Sequence, residues 1–458
     1  MLLLHTFCQR SILQKYKTEI MLNINLKAIP IHYKHLQRAC IMNKQIETTT
    51  SLNKNDNINN INKKVSNTTM DTSEVTNYES FDDMHLSDNL YRGIYAYGFE
   101  KPSKIQQTAI IPMKEGRDII AQSQSGTGKT GAFVIGSLSR VDEKINAPQV
   151  IVLSPTRELA QQTCSVVTAI GQYMNIKTLS ATGGNQVRAD IQALKNGAQY
   201  IVGTPGRVYD LIRRGMLCLD NIRYVILDEA DQLLEDLFQE QLKFILKFNF
   251  PNSARLALFS ATMSPAVIDV AETFLDKPVK ILIPAENVTL DGISQYCVYL
   301  DKEEWKYDVL MDLYQHFSIN QAIIYVNTRH NAEWLANRMK ESSFTIECIH
   351  GEMDVNERRK RMDDFRRGSA RVLISTDLLA RGIDVQQISI VVNFEMPYQH
   401  ENYIHRIGRS GRYGRKGLAI NLISQNEMKI KSEIEKYYST RIEELPSRVE
   451  DLMKIVQS

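Results

Sequence analysis

The sequence lacks paired cysteines, a long apolar segment and a strong net charge, and each absence excludes a class of protein. Six cysteines lie far apart without Cys-x-x-Cys spacing, so we expect reduced intracellular thiols and no zinc or redox motif. No run of about 18 or more apolar residues occurs, so no membrane-spanning helix is expected. The net charge of +2 argues against a polybasic, histone-like binder, and any nucleic-acid site must be a local patch.

The composition that is present is typical of a globular protein. Hydrophobic residues make up 43% and charged residues 24% of the 458 positions. At roughly 150 residues per domain, this length predicts two or three domains. The chain is therefore long enough for two substantial cores.

The first 77 residues differ from the rest. They are rich in Asn, Lys, Ile and Thr, and residues 51–69 form a polar low-complexity tract. We expect residues 1–77 to be a mostly disordered extension. Residues 1–44 carry a basic excess against a single acidic residue, Glu19, which is weakly typical of a transit peptide. Serine is scarce there, so organellar targeting is not expected.

From Phe81 onward, short β-branched runs alternate with longer helical patterns, which predicts parallel α/β sheets. A polar segment at 276–292 interrupts the alternation, which then restarts. Two doubly wound domains are therefore predicted, at 78–283 and 295–458, joined by a linker at 284–294. Predicted strands are 118–121, 149–154, 200–203, 224–227 and 256–259, then 295–300, 322–326, 346–349, 372–375 and 390–393.

A Gly- and Ser-rich segment lies between the first predicted strand and a helical pattern. It reads Ser123-Gln124-Ser125-Gly126-Thr127-Gly128-Lys129-Thr130. In a phosphate loop, glycines let backbone N–H groups approach phosphates, Lys129 reaches the β and γ phosphates, and the Thr130 hydroxyl binds Mg²⁺. A flexible turn is the alternative. Gly-x-Gly-Lys-Thr between a strand and a helix favours the nucleotide site, with residues 125–130 as its binding residues.

A second strand presents carboxylates that such a loop requires. The strand at 224–227 leads into Asp228-Glu229-Ala230-Asp231. Asp228 is the expected magnesium partner, and Glu229 can orient or deprotonate the attacking water. Asp231 remains available to interact with another part of the protein. An acidic helix start is the alternative. ATP and Mg²⁺ are the predicted cofactors.

Two further segments favour phosphate contacts. Thr204-Pro205-Gly206-Arg207 follows a strand and is either a simple helix entry or a site for phosphate oxygens of a ligand. The basic run at 406–416 is by itself typical of a solvated face. Its glycines interrupt a helical pattern, which favours close backbone approach to a ligand.

At this point the chain resembles the DEAD-box RNA helicase family, from about Phe81 to the end. The segment 98–106 looks like the family's adenine-reading segment, in which Gln106 hydrogen-bonds the base, Phe81 stacks on it and Phe99 adjoins it. The expected RNA contacts are Pro155, Thr156, Arg157, Gly183, Gly184, Thr204, Pro205, Gly206, Arg207, Arg329 and Thr376.

The same resemblance assigns roles that join two halves of one site. Ser260 and Thr262, together with Asp231, would link hydrolysis to strand separation. In the second domain, Asp384 would contact the ribose and His405 would communicate with the first domain. Arg409 and Arg412 would act as arginine fingers on the γ-phosphate.

The resemblance implies two tandem RecA-like domains that bind ATP and single-stranded RNA across their cleft. It is strongest for translation initiation factor 4A and its exon-junction and ribosomal-RNA-processing relatives. A monomer in a larger complex, with a scaffold related to initiation factor 4G, is implied in the cytoplasm or the nucleus. The alternatives are an ATP-gated RNA clamp, a DNA translocase on the same fold, and a catalytically silent binding module.

Overall fold

The computed structural model describes residues 76–234, 236–282, 292–316, 321–379, 388–410 and 417–446. Nearly all of the predicted N-terminal extension, and most of the predicted linker, lie outside these residues. Within them, no helix is both long and apolar enough to cross a membrane.

The first half of the described chain builds a parallel sheet of seven strands, in the order β3-β4-β2-β5-β6-β1-β7. Its strands are β1 (Ile119–Gln122), β2 (Val150–Leu153), β3 (Thr178–Ala181), β4 (Tyr200–Gly203), β5 (Tyr224–Asp228), β6 (Arg255–Ser260) and β7 (Val279–Ile281). Its helices are α1 (Asp88–Ala96), α2 (Lys104–Glu115), α3 (Lys129–Leu138), α4 (Arg157–Ile170), α5 (Val187–Lys195), α6 (Pro205–Arg213), α7 (Ala230–Leu234), α8 (Asp236–Leu246) and α9 (Pro265–Glu272).

The second half repeats this plan with another parallel seven-stranded sheet, in the order β10-β11-β9-β12-β13-β8-β14. Its strands are β8 (Ile293–Leu300), β9 (Ala322–Tyr325), β10 (Ile346–Ile349), β11 (Val372–Ser375), β12 (Ile390–Asn393), β13 (Gly417–Ser424) and β14 (Glu443–Glu444). Its helices are α10 (Lys306–His316), α11 (Arg329–Glu341), α12 (Val355–Arg366), α13 (His400–Ile407) and α14 (Met428–Tyr438).

The central strands are apolar throughout because helices cover both faces of each sheet. Every residue of β2, β4 and β5 is buried, as expected for parallel strands between two helical layers. In the first sheet, β6 lies between β1 and β5. The loops that follow these three strands therefore emerge side by side at one edge of the sheet, where ligands of α/β proteins bind.

The predicted α/β class with two RecA-like units is confirmed, and all ten predicted strands are present within a few residues. Four strands were not predicted, namely β3, β7, β13 and β14. The sheet-edge strand β3 (Thr-Leu-Ser-Ala) alternates between half-buried and buried positions, and β7 and β14 contain only three and two residues. Such short or polar segments carry little periodic signal. This reason does not apply to β13, whose eight residues are all buried. β8 begins at Ile293, two residues earlier than predicted.

Candidate functional site

The loop between β1 and α3 closes around its own lysine. Gly126 and Gly128 have φ angles of 81° and 98°, in the left-handed region that favours glycine. Lys129 is buried, and its Nζ donates to the carbonyl oxygens of Ser123 at 2.7 Å and Gln124 at 3.1 Å. The first N–H groups of α3 begin at this loop, which makes it an anion-binding position. The geometry is that of a phosphate loop.

Two buried carboxylates lie close to this lysine. Asp228 ends β5, and Asp228 Oδ2 and Glu229 Oε2 have no hydrogen-bond partner among the described residues. Burial, and then the adjacent Glu229 carboxylate, raise the pKa of Asp228 to about 8, while Lys129 opposes the shift. Burial lowers the pKa of Lys129, against the opposing charges of Glu229 and Asp228. Buried carboxylate oxygens without partners fit a divalent cation with oxygen ligands.

Glu229 has an unusual backbone conformation. Its φ of 51° is rare for a residue other than glycine. Strain of this kind persists where the surrounding structure over-determines it, and it occurs at functional sites. In this conformation Glu229 begins the short helix α7, because its carbonyl accepts from the N–H groups of Gln232 and Leu233.

Residues of the two sheets meet at Asp231. Its carboxylate accepts from Ser260 Oγ at 2.5 Å and from Thr262 Oγ1 at 2.6 Å. His405 of α13 is fully buried, and its Nε2 lies 3.3 Å from both Asp231 Oδ2 and Thr262 Oγ1. The four residues predicted to couple the domains therefore form one hydrogen-bonded cluster.

Arg409 crosses from the second sheet to the phosphate loop. Its Nη2 donates to Ser125 Oγ at 2.6 Å and its Nε to the His405 carbonyl at 3.0 Å. The side chain is buried. Gly408 packs so closely that a Cβ there would lie 2.9 Å from Ser125 Cβ. Arg409 is therefore aimed at the position that phosphates occupy in a loop of this kind. Arg412 and Asp384 lie outside the described residues.

The predicted adenine-reading residues lie beside the same loop. Gln106 is buried and caps α2, where its Oε1 accepts from Ser103 N at 2.9 Å. Its Nε2 donates to the Gly128 carbonyl at 3.2 Å. The Phe99 ring faces Gly131, where a Cβ would lie 2.9 Å from Phe99 Cε2. Gln106 and Phe99 are thus both placed at the entry to α3.

Phe81 does not have the position expected of a stacking ring. It has no accessible surface and packs behind Phe99, with ring centroids 6.5 Å apart and planes 19° apart. A base cannot stack on a ring that is covered on both sides. This corrects the expectation for Phe81, and the partly exposed Phe99 is the aromatic ring that is available.

A second cleft is lined by residues of both halves and has a volume of about 670 Å³. Seven of the predicted RNA contacts line it from the first sheet, namely Pro155, Thr156, Arg157, Gly183, Thr204, Gly206 and Arg207. The second sheet contributes Gly351, Met353, Arg358 and Leu378. This surface is built from loops and helix N-termini, which suit phosphate oxygens.

Four predicted RNA contacts are not among the residues that line this cleft. Gly184 is adjacent, since a Cβ there would lie 3.1 Å from Arg157 Nη1. Pro205 is buried at the start of α6, and Thr376 follows β11. Arg329 pairs with Glu352 and with Glu333 and lines a separate cleft of about 490 Å³.

Two family models match the chain. The DEAD/DEAH box helicase model matches residues 103–270, and the helicase conserved C-terminal domain model matches residues 305–414. The chain belongs to the DEAD-box helicase family. It is 51% identical over 380 residues to the ATP-dependent RNA helicase eIF4A of Coccidioides immitis, covering 83% of this chain and 95% of that protein. To eIF4A of Neurospora crassa it is 51% identical over 375 residues, covering 82% and 94%.

Solved structures of DEAD-box proteins are also similar. Dbp5 of S. cerevisiae bound to RNA and ADP BeF3 matches with a TM-score of 0.76 and 38% identity, covering 83% of this chain and 99% of that one. A variant of Dbp5 with a single substitution, in the same bound state, matches with a TM-score of 0.77 and the same identity and coverage. With these relatives, the prediction of an ATP-dependent RNA helicase is confirmed.

Sequence reasoning missed the ion pair that joins the two sheets of this DEAD-box protein at the second cleft. Arg358 Nε of α12 lies 2.8 Å from Glu158 Oε1 of α4, and the Arg358 side chain is buried. Glu158 directly follows the predicted RNA contacts Pro155, Thr156 and Arg157, but Arg358 lies in a charged helix without a distinct pattern. Only the contact across the interface distinguishes Arg358 from its neighbours.

Arg406 is a second residue that sequence reasoning missed. It is fully buried, its Nη2 donates to Asn327 Oδ1 at 2.7 Å, and it pairs with Asp377. Asn327 and Asp377 follow β9 and β11. Arg406 therefore ties the helix that carries His405 to the loops of two neighbouring strands.

Arg207 is held by a third missed residue, Asp190. Arg207 Nη1 pairs with the Asp190 carboxylate, and its Nη2 donates to the Asn185 carbonyl at 2.8 Å. Only 4% of the Asp190 side chain is exposed, and burial raises the pKa of its carboxyl although Arg207 opposes the shift. These contacts hold α5 and the loop at Asn185 against α6.

An Asp190→Asn variant should weaken RNA stimulation of ATP turnover and leave ATP affinity unchanged. Loss of a charged hydrogen-bond partner costs about 1.5–3 kcal/mol, so the RNA concentration for half-stimulation should rise roughly ten- to a hundredfold. Steady-state ATPase titrations with RNA measure this. Asp190→Glu, which keeps the charge, should recover much of the loss, and the exposed Asp220→Asn should behave as wild type. An equal change in the affinity for ATP and in the RNA concentration for half-stimulation would contradict the role of Asp190 in positioning Arg207.

Proposed function

We propose that this protein is an eIF4A-like ATP-dependent RNA helicase that locally unwinds RNA duplexes during translation initiation. The observation that best supports this proposal is that both clefts are completed by side chains from both halves of the protein. Arg409 reaches Ser125 and His405 reaches Asp231 on the nucleotide side. Arg358 reaches Glu158 on the RNA side. Each half alone therefore lacks part of each site.

On the nucleotide side, the phosphates of ATP are bound by the loop at 125–130. Lys129 exchanges its two carbonyl partners for phosphate oxygens, which are better acceptors for an ammonium group. Phe99 offers the face on which the adenine stacks. Gln106 exchanges its hydrogen bond to Gly128 for one to the base.

Magnesium is the cation that we expect between Asp228, the Thr130 hydroxyl and the phosphates. When held there by Asp228 and Thr130, it would neutralise negative charge on the phosphates. Glu229 accepts a proton from the attacking water, and Arg409 stabilises the charge on the transferring phosphoryl group. The proposed nucleotide site also includes Arg412 as a second arginine finger and Asp384 as a contact to the ribose.

On the RNA side, the cleft recognises the sugar-phosphate backbone. The hydroxyls of Thr156 and Thr204, the N-termini of α4 and α6, and Arg157 are suited to phosphate oxygens. No side chain in this set carries a base-specific pattern, so binding is weakly sequence-specific. Gly184, Pro205, Arg329 and Thr376 extend the proposed contacts beyond the cleft lining.

The two sides communicate through the Asp231 cluster. Ser260 ends β6 and Thr262 follows it, and β6 lies between the strands that carry the phosphate loop and Asp228. His405 joins this cluster only when the sheets approach each other. Closure therefore assembles the hydrolytic site and grips RNA in one step.

A cytoplasmic role with a scaffold related to initiation factor 4G follows from the likeness to the eIF4A proteins, with the chain acting as a monomer in that complex. The alternative is an ATP-gated RNA clamp in exon-junction or ribosomal-RNA-processing assemblies, because the same motifs serve both. Proteins that copurify with the full chain separate these roles. Initiation factors support the first role, and exon-junction or ribosome-assembly proteins overturn it.

The helicase activity is tested with the full chain, ATP and short duplexes. Single-stranded RNA should stimulate ATP turnover, whereas DNA of the same sequence should not, because 2′-hydroxyl contacts are lost. A short RNA duplex should separate only with ATP. Equal stimulation by DNA would indicate a DNA translocase. ATP-dependent gripping without strand separation would indicate a clamp.

A Phe99→Ala variant should weaken ATP binding without changing the maximal turnover. Stacking of a base on an aromatic ring contributes about 1–3 kcal/mol, so the KM for ATP should rise at least about fivefold. Discrimination between ATP and GTP should persist, because the Gln106 amide is intact. Tyr97→Ala is the control, since it removes a neighbouring ring in T-shaped contact with Phe99 and leaves the Phe99 ring in place. An unchanged KM for Phe99→Ala would remove Phe99 from the base site.

A further inference from the structure

Two adjacent helices continue the RNA cleft along the surface of the first sheet. Gly206 of α6 and Gln241 of α8 both line the cleft, and a Cβ at Gly206 would lie 3.5 Å from Gln241 Oε1. Three residues further along each helix, Tyr209 and Phe244 are in ring contact, with centroids 5.8 Å apart. Residues spaced by three or four lie on one helix face. The side chains therefore form a strip that starts inside the cleft.

Aromatic rings dominate the middle of this α6–α8 strip. Phe244 is 51% exposed although it contacts Tyr209, and Tyr209 also contacts Phe248 at 6.3 Å. A single exposed aromatic residue needs no explanation. Three rings joined through Tyr209, next to a nucleic-acid cleft and with Phe244 open to solvent, offer a stacking platform.

The far end of the strip is basic. Arg213 is 65% exposed and only 3.8 Å from Asp210, whose carboxylate is bound more closely by Arg214 at 2.8 Å. Lys243 and Lys247 are exposed on either side of Phe244 in the sequence, with Glu240 as the nearby acidic residue on α8. Among the side chains that the structure describes here, these four cations outnumber the two carboxylates, which favours a polyanion. Rings combined with cations favour single-stranded nucleic acid over an acidic peptide.

We propose that the α6–α8 strip binds single-stranded RNA where it leaves the cleft, with one base stacked on Phe244 and phosphates near Arg213 and Lys247. The inference rests on the proposed RNA cleft and extends it. The eight helical residues from Gly206 to Arg213 span about 10 Å. At the ~3.4 Å spacing of a stacked strand, this length holds roughly two or three further nucleotides.

The test compares RNA lengths. The full chain with a non-hydrolysable ATP analogue is titrated with an RNA of about six nucleotides and one of about twelve, by fluorescence anisotropy. Phe244→Ala should weaken binding of the longer RNA about fivefold or more and leave the shorter unchanged. Phe274→Ala, which removes another exposed ring of the first half, should change neither.

A second variant, which changes only a charge, tests whether misfolding explains the weaker RNA binding of Phe244→Ala. Lys247→Glu keeps the aromatic cluster. It should selectively weaken binding of the longer RNA and reduce the salt dependence of that binding. If a variant weakened binding of both RNA lengths equally, or of neither, the proposal that the strip binds RNA would be overturned. Absence of RNA binding at either length in the wild type would instead overturn the proposed helicase function.

Discussion

Replacing Arg409 by alanine should lower RNA-stimulated ATP turnover by about 10³-fold or more, the effect seen when arginine fingers are removed. Arg409 is buried against the phosphate loop through Ser125 Oγ, so alanine leaves a space where the charge on the γ-phosphate develops. Binding of ATP to the first half should change much less, since the phosphate loop is intact. Single-turnover hydrolysis and nucleotide titration separate the two effects.

Two further variants control this result. Arg409→Lys keeps a positive charge but loses the planar fork, and it should recover only part of the activity. Arg366→Ala removes an arginine of α12 that is 39% exposed, and it should behave as wild type. Turnover near the wild-type level in Arg409→Ala would show that the finger assignment is wrong.

Replacing Glu229 by glutamine should abolish most of the hydrolysis while retaining binding of both ATP and RNA. Glutamine has nearly the same shape but cannot accept a proton from water, and general base catalysis contributes about 10²- to 10⁴-fold. The buried Glu229 Oε2 has no partner among the described residues, so its removal breaks no hydrogen bond described for the fold. Rapid-quench hydrolysis and RNA anisotropy with ATP measure the two quantities.

The neighbouring carboxylate provides the contrast. Asp228→Asn should raise the Mg²⁺ concentration that is required for turnover, because a carboxylate ligand becomes a neutral amide. Glu229→Gln should leave that requirement unchanged. If Glu229→Gln shifts the Mg²⁺ requirement and Asp228→Asn does not, the proposed roles of the two residues are reversed.

Local motifs explain why much of the candidate site could be predicted. The phosphate loop at Lys129 and the carboxylates after β5 are short segments whose glycine spacing and strand context suffice. Most central strands are equally visible, because burial between two helical layers demands apolar runs, although the buried strand β13 was missed. Edge strands such as β3 escaped prediction because one side of each is partly exposed and its apolar signal is weak.

The residues that could not be predicted are those whose partners are distant in the sequence. Arg358 contacts Glu158 from another domain, Arg406 joins loops after β9 and β11, and Asp190 holds Arg207. None of these pairs produces a periodic pattern. Each is specified only by which helices the parallel crossovers bring together.

By itself, the sequence determined the fold class, the phosphate loop and the carboxylate strand of this protein, because local chemistry and periodicity act over a few residues. Only the tertiary structure decided that Phe99 rather than Phe81 offers a ring face, since burial depends on distant packing. It also decided that Arg409 meets Ser125 and that His405 meets Asp231, since those contacts exist only where two separate sheets close on each other.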